Sequence, residues 1–426
     1  MFSGSFASTA PNGAASFLVA RFDLSDAEMI FVSTSFVGGC VAGPILWAPL
    51  SELYGRSKTF LISTLLFVAA NVGSALSSSK NMLFSFRLIT GIFASSAFSN
   101  GAAVVSDLFL PSDRGNPMIV LSLSPLLGPC FGPLVGSLVG TRYDWRCVFW
   151  VLAGVGLVLE LILIFVPETY PPLVAKRPSL VEREAKRDMG PWAPRLRKLL
   201  LINLGRPLNM MFREPIVICA TTYLSFFFAL MYVYFSSWPL IFGPPGIYKL
   251  SPVHTGLTFV PMAIGGVMGS LFCPYFNRRY RKKCREAQMP VPEARLLPTY
   301  YVAPCVAFGF LWSGWMSRET VPFAVPMLAG IPIGAAMVLV FQGWIGYLGD
   351  CYRLYASSAI AATVIGRSLS GATLPLSTHM LHERLGGIAN MYTLLACLVA
   401  LAIPVPYYFA KYGERMRNRS AYELGR

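Results

Sequence analysis

Gly128, Gly132, Gly136 and Gly140 recur at every fourth position, and Pro125, Pro129 and Pro133 run beside them at the same interval, all inside one apolar stretch. In water each interior glycine costs about 1 kcal/mol and each proline about 3 kcal/mol relative to alanine, so the segment from Met118 to Gly140 would not be helical. In hydrocarbon no solvent competes for backbone hydrogen bonds. The chain then stays helical across its breakers, and small residues four apart admit a neighbouring helix at close range. The ladder therefore places this chain in a membrane. Its 55% hydrophobic and 13% charged residues agree, because a soluble chain of this length needs more polar surface.

Apolar windows of about 20 residues, bounded by charges or turn residues, predict eleven spans. They run from Ala27 to Leu50, Thr59 to Leu76, Met82 to Ser106, Met118 to Gly140, Cys147 to Val166, Pro215 to Phe242, Val253 to Phe276, Pro298 to Met316, Val321 to Leu348, Leu354 to Thr378 and Met391 to Ala410. Two long polar segments, Pro167 to Glu214 and Asn277 to Leu297, interrupt them. The first divides an all-α chain into an N-terminal helical bundle over 1–166, a cytoplasmic basic linker over 167–214, a C-terminal bundle over 215–410 and a cytoplasmic tail over 411–426.

Charge sets the orientation. Of the 35 lysines and arginines, 26 fall on the side of the two polar segments and the tail, 7 on the opposite side, and Arg87 and Arg367 inside spans. The excess marks the cytoplasmic face. The net charge of +15 is thereby read as flanks of membrane helices that meet anionic lipid, and not as a nucleic-acid surface. The nine cysteines form no CxxC pair and predict neither a disulfide framework nor a zinc site. His379 and His382 lack a third ligand, so no metal is expected, and no cofactor. The segment from Met1 to Phe22, with Ser3, Ser5, Ser8, Thr9, Pro11, Asn12 and Gly13, reads as too polar and broken to cross the bilayer.

The loop Ala48-Pro-Leu-Ser-Glu-Leu-Tyr-Gly-Arg-Ser-Lys58 carries an acid and a base at adjoining helix ends, with Gly55 for the tight turn. Such groups can exchange partners when two bundles rock against each other, although any short loop can hold Glu and Arg. The loop resembles that between the second and third spans of the major facilitator superfamily: Leu50, Ser51, Gly55 and Arg56 match, while Glu52 stands for an aspartate. Arg87 with Gly91 resembles the family's Arg-x-x-x-Gly motif, and Asp107 with Arg114-Gly115 its next cytoplasmic turn. Ser124 to Gly136, which holds Pro125, Gly128, Pro129, Gly132 and Pro133, resembles the antiporter motif of the fifth family helix. Asp144-Trp-Arg-Cys-Val-Phe-Trp150, Pro167-Glu-Thr-Tyr170, Pro292-Glu-Ala-Arg-Leu296, Asp350 to Ala359 and Arg367 to Ala372 resemble the fungal drug:proton antiporter branch with twelve spans.

That resemblance covers nearly the whole chain and implies a two-bundle, major-facilitator-type transporter working by alternating access, with substrate moving outward as protons move inward. It implies that Phe2 to Phe22 is the end of the first family helix and the external loop after it, with most of that helix missing through a misplaced start. It implies a cavity built from the first, fourth, seventh and tenth helices. In the fourth, Arg87, Gly91, Ser95 and Ser99 share one stripe, read either as a cavity face or as close packing with Arg87 snorkelling outward; Asn100 is a further candidate. In the seventh, Tyr223, Phe226, Tyr234, Phe235 and Trp238 form an aromatic wall or simply pack. Gln342 is a buried amide able to orient a ligand, and Arg367 a mid-span charge in need of a partner. Glu160, a carboxylate well inside a span, is the candidate for proton coupling, whereas Glu52 and Asp107 are gate acids.

The expected partners are a small organic substrate, protons and membrane lipids, acting on a monomer at the plasma membrane or the vacuolar membrane. An uncoupled facilitator and a non-transporting receptor or scaffold remain open as alternatives. An enzyme is excluded by the lack of a nucleophile-base pair, a metal cluster or a phosphate loop.

Overall fold

A computed structural model describes residues 1–109, 113–174, 205–289, 291–352 and 355–417. Eleven helices among these are long and apolar enough to cross a membrane, and they fall where the hydropathy windows predict. In the first half the chain forms α1 (Phe2–Thr9), a 3-10 turn (Ala10–Ala14), α2 (Ala15–Phe22), α3 (Asp26–Tyr54), α4 (Arg56–Ala75), α5 (Lys80–Leu108), α6 (Gly115–Arg142), α7 (Trp145–Ile164) and the short α8 (Pro171–Val174). The second half comprises α9 (Pro215–Phe242), α10 (Pro252–Leu257), α11 (Val260–Ala287), a 3-10 turn (Pro292–Leu296), α12 (Leu297–Met316), α13 (Ala324–Leu328), α14 (Gly330–Tyr352), α15 (Ala356–Thr373), α16 (Thr378–Arg384), α17 (Ile388–Ala402) and α18 (Pro404–Arg417).

Helix α6 runs unbroken through Pro125, Pro129 and Pro133, about 42 Å at 1.5 Å per residue. Its glycine ladder has a specific partner. A Cβ at Gly128 would sit 2.5 Å from the Phe6 nitrogen, one at Gly132 would run into Thr9, one at Gly136 into the Ala10 carbonyl, and one at Gly140 would sit 2.7 Å from Ala14 Cβ. Four successive turns of α6 thus press directly on the backbone of the N-terminal segment, the close approach that small residues permit in lipid.

The segment from Met1 to Phe22 is broken by the 3-10 turn, as read, and is not among the eleven helices long and apolar enough to cross, but it differs from expectation in having no loop before Asp23. The segment is helical from Phe2 to Phe22, and the external connection shrinks to residues 23–25. Its polar groups are spent locally: Ser8 Oγ donates to the Ser5 carbonyl at 2.7 Å, Asn12 Oδ1 accepts from Ser33 Oγ at 2.7 Å, and Thr9 Oγ1 donates to the Pro129 carbonyl at 3.4 Å. Pro11 lies in the 3-10 turn, so its missing N–H falls where the helix is already interrupted.

Two polar stretches also depart from expectation. The polar segment from Asn277 begins as a continuation of α11 to Ala287, because arginine and lysine are good helix formers once the chain leaves the bilayer. The tail after Ala410 likewise starts inside α18, where Arg417 pairs with Glu293 at 3.2 Å. Most of the linker, residues 175–204, lies outside the described residues, as do 418–426.

The halves meet along two seams, α3 against α15 and α6 against α10, α11 and α14. Outward, α7 exposes Leu157, Val158, Leu161 and Ile162, an apolar face of the kind lipid covers.

Candidate functional site

Between the seams lies a narrow central cavity in two adjoining parts. One, of about 30 Å³, is lined from the first half by Met1, Phe98, Leu121 and Pro125 and from the second by Phe228, Met231, Met337, Phe341 and Arg367; the other, of about 20 Å³, adds Ser5, Ser8, Cys40, Tyr232 and Ser368. Each has room for about one water, so in this conformation the cavity is closed around its lining. Ser8 Oγ and the Tyr232 hydroxyl, 3.1 Å apart, join the halves across it.

The two mid-span arginines are placed very differently. Arg87 is fully buried and does not snorkel. Its Nε donates to the Val32 carbonyl at 3.1 Å, and Nη2 donates to the carbonyls of Ala7 at 2.8 Å and Ser8 at 3.2 Å. Those last two oxygens stand just before the 3-10 turn, where α1 leaves its carbonyls unclaimed by the helix. The guanidinium also rests over the Phe36 ring at 4.8 Å. Arg87 therefore ties α1, α3 and α5 together. Arg367 is equally deep but lines both parts of the cavity, over the rings of Phe228 at 5.6 Å and Phe341 at 5.7 Å.

Several expected cavity residues lie elsewhere. Ser95 Oγ donates to the Ile92 carbonyl at 2.7 Å and Ser99 Oγ to the Ser95 carbonyl at 3.1 Å, within their own helix. Ser95 packs on Gly43, and Gly91 meets the Phe36 carbonyl, so this stripe seats α5 on α3. The cavity face of α5 carries Phe98 and Ala102 instead. In α9 the helical phase is likewise shifted. Tyr223 packs on Trp344 at 5.1 Å, Tyr234 on Phe310 at 5.7 Å, and Trp238 on Phe259 at 5.4 Å, all within the second half. The inward stripe is Phe228, Met231 and Tyr232, with Phe235 one turn beyond, edge-on to Tyr232 at 6.1 Å. Glu160 is absent from the cavity lining; it is half-buried one turn after Gly156, which packs on Phe67 and Val68 of α4.

Asn100 and Gln342 lie toward the end of the molecule that carries the Arg56 loop, and neither lines these two parts of the cavity. Asn100 Oδ1 accepts from Ser51 Oγ at 2.9 Å, and Ser51 Oγ accepts from Arg56 Nη1 at 2.6 Å. Arg56 Nε pairs with Asp107 at 3.1 Å, and its guanidinium lies over the Tyr170 ring at 5.1 Å. Gly55 turns the chain at φ 98°, open to glycine at little cost, and a side chain there would strike Glu168. Leu50 and Glu52 are half-buried at the end of α3 beside this cluster. Arg114 closes the next turn, donating to the carbonyls of Phe109 at 2.9 Å and Ser106 at 2.8 Å. Gln342 accepts at Oε1 from Cys273 Sγ and donates to the Gly115 carbonyl at 3.4 Å, linking the halves on this face.

Two groups of functional weight escaped the reading by residue. Glu168 accepts from the backbone N–H groups of Arg56 at 2.9 Å and Ser57 at 3.3 Å, supplying the cap that α4 lacks at Gly55. The second half repeats the arrangement: Asp350 Oδ2 accepts from Arg295 Nε at 2.9 Å and the Tyr280 hydroxyl at 2.7 Å, and Arg295 lies over the Tyr280 ring at 3.7 Å. The signal for both was present, in the Pro-Glu-Thr-Tyr and Pro-Glu-Ala-Arg motifs, but nothing in the spacing paired them with the loops they clamp.

The family model described as Major Facilitator Superfamily matches residues 1–375. The chain is similar to the major facilitator superfamily multidrug transporter mdrA of Aspergillus fumigatus, 33% identical over 97% of this chain and 69% of that one. It is also similar to the MFS-type efflux pump MFS2 of Trichophyton rubrum, 35% identical over 93% and 68%. In fold it resembles the proton:xylose symporter XylE bound to 6-bromo-6-deoxy-D-glucose, with TM-score 0.70 at 17% identity over 96% of this chain and 93% of that structure. With the two-half architecture, the clamped cytoplasmic loops and these relatives together, the chain belongs to the Major Facilitator Superfamily and is a multi-pass membrane transporter, not an enzyme.

Proposed function

We propose that this transporter exports small organic molecules, of the drug, polyamine or secondary-metabolite kind, by alternating access coupled to inward proton movement. The observation that carries the reading is the central cavity, which both halves line and which contacts between the halves close toward each face. Toward the cytoplasm Gln342 meets Gly115; toward the outside Gly256 of α10 packs on the backbone of Leu134 in α6. A site enclosed in this way changes exposure when one half tilts on the other. The names of the relatives, a multidrug transporter and an efflux pump, support the outward direction. The reading includes a monomer in the plasma membrane, with anionic lipid against the basic cytoplasmic flanks.

In this reading Arg56, Asp107 and Glu168 hold the cytoplasmic gate, and the antiporter-motif helix α6 supplies the pivot through its contact with α1. A second reading, an uncoupled facilitator, is favoured by the position of Glu160 away from the cavity, whose described lining holds no carboxylate. The test is efflux of a preloaded fluorescent aromatic probe from proteoliposomes with and without an imposed proton gradient. Uphill extrusion that stops when the gradient is collapsed supports coupled export. Downhill flux indifferent to the gradient assigns the facilitator, and binding without flux removes both.

A further inference from the structure

Of the two arginines buried inside spans, Arg367 lines the central cavity, and the cavity lining offers it no counter-charge. Among the described residues its side chain has no hydrogen bond and no ion pair, whereas Arg87 spends Nε and Nη2 on three carbonyls. The rings of Phe228 and Phe341 fix the position of the Arg367 guanidinium without neutralising it. Arg367 is the single charged side chain in the described lining of both cavity parts; the other polar side chains there are the hydroxyls of Ser5, Ser8, Ser122, Tyr232 and Ser368 and the Cys40 thiol. A planar, permanently charged fork with free N–H donors, set in an aromatic enclosure of low dielectric, matches a carboxylate on an apolar body. It repels a cation of the same shape.

We infer that Arg367 is the binding site for the acidic group of the exported molecule, which is an aromatic or otherwise apolar organic anion whose body lies against Phe98, Phe228 and Phe341. This rests on the export reading and narrows it: polyamines fall outside the substrate class, and acidic secondary metabolites fall inside. An anion entering the cavity replaces water with bidentate, charge-assisted bonds, and at the same time relieves an arginine held without a partner. Tyr232, already 3.1 Å from Ser8, stands on the same wall and adds a hydroxyl donor next to the guanidinium.

The test uses the full chain and three probes of one shape: 2-naphthoate, 2-naphthamide and 2-naphthylmethylammonium, near neutral pH. Equilibrium dialysis in detergent measures binding, and proteoliposome efflux measures transport. Binding of 2-naphthoate about tenfold or more tighter than of the amide, with the ammonium weakest, is expected from charged hydrogen bonds in a buried site. Arg367→Gln reduces naphthoate affinity to that of the amide and leaves the amide unchanged; Arg367→Lys recovers part of the difference. Equal binding of the three probes by the wild-type chain, or no binding of naphthoate, overturns the proposal whether or not any variant folds. Selective naphthoate binding without flux leaves the anion site standing and removes the export reading instead.

Discussion

Arg87 and Arg367 are the same residue type at similar depth in the two halves, yet one is a structural tie and the other an open hand. At Arg87 the neighbouring helix breaks: the 3-10 turn after Thr9 leaves the carbonyls of Ala7 and Ser8 pointing at the guanidinium. At Arg367 the neighbours α9 and α14 present the ring faces of Phe228 and Phe341, and no carbonyl among the described residues lies within hydrogen-bond distance of its guanidinium. The difference teaches that a buried charge in a membrane helix is not functional by virtue of its type. What differs is the reach of main-chain carbonyls: Arg87 finds two at the helix break and one, Val32, within intact α3, whereas Arg367 finds none among the described residues.

The comparison can be broken most directly at Arg87. Arg87→Met leaves the Val32, Ala7 and Ser8 carbonyls without that donor, and a loss of about 3 kcal/mol or more is expected, read as a large fall in Tm of the purified protein in detergent. A Tm within a degree or two of the wild type would place Arg87 in the same category as Arg367. Gly136→Val comes next. The added side chain runs into the Ala10 carbonyl and forces α1 away from α6, at a cost of about 1–3 kcal/mol for overpacking. Because α1 carries two of the acceptors of Arg87, the pair Gly136→Val and Arg87→Met should be less than additive, which a double-mutant cycle of thermal melts measures.

Arg367→Met sharpens the contrast from the other side. It removes an unpaired buried charge and breaks no described hydrogen bond of that side chain, so Tm should stay level or rise by the equivalent of about 1 kcal/mol while transport declines. The smallest effect is expected for Phe341→Leu, which removes one ring face from Arg367; a weakening of naphthoate binding by about 0.5–1 kcal/mol, a few-fold in Kd, follows from the cation–π contribution. No change in Kd would mean that Phe228 alone positions the guanidinium.

The spans and the packing ladder were legible because both are signals in composition and spacing: apolar windows of fixed length, and glycines on one helical face. The side chains at the cavity were less so, for two physical reasons. In α9 aromatic residues occupy every face, from Tyr223 and Phe227 through Phe228 and Tyr232 to Trp238, so no polar stripe sets the phase and the inward face cannot be told from the packed one. In α5 Ser95 and Ser99 do form a polar stripe, but a serine in a helix can satisfy itself on the preceding turn and then serves as a small residue. The place of Arg87, neither on the cavity nor snorkelling, was not legible because its acceptors are main-chain oxygens, which carry no side-chain signature. The helical course of the segment as far as Phe22 was not legible because two of its polar side chains find their partners in tertiary contact: Asn12 with Ser33, and Thr9 with Pro129.

Among the described residues the ion pairs at the face that carries the Arg56 loop lie within one half or the other: Arg56 with Asp107 in the first, and Arg295 with Asp350, Arg417 with Glu293 and Lys282 with Glu286 in the second. What the halves share at this face is of another order, an amide of Gln342 on a main-chain oxygen and the bare surface of Gly115 against Asn277. A tilt of one half on the other can then proceed with those charges still paired, sacrificing contacts of about 1 kcal/mol apiece. Among the described residues, then, the contacts that such a tilt must break at this face are an amide on a carbonyl and a glycine surface, with no charge pair between the halves.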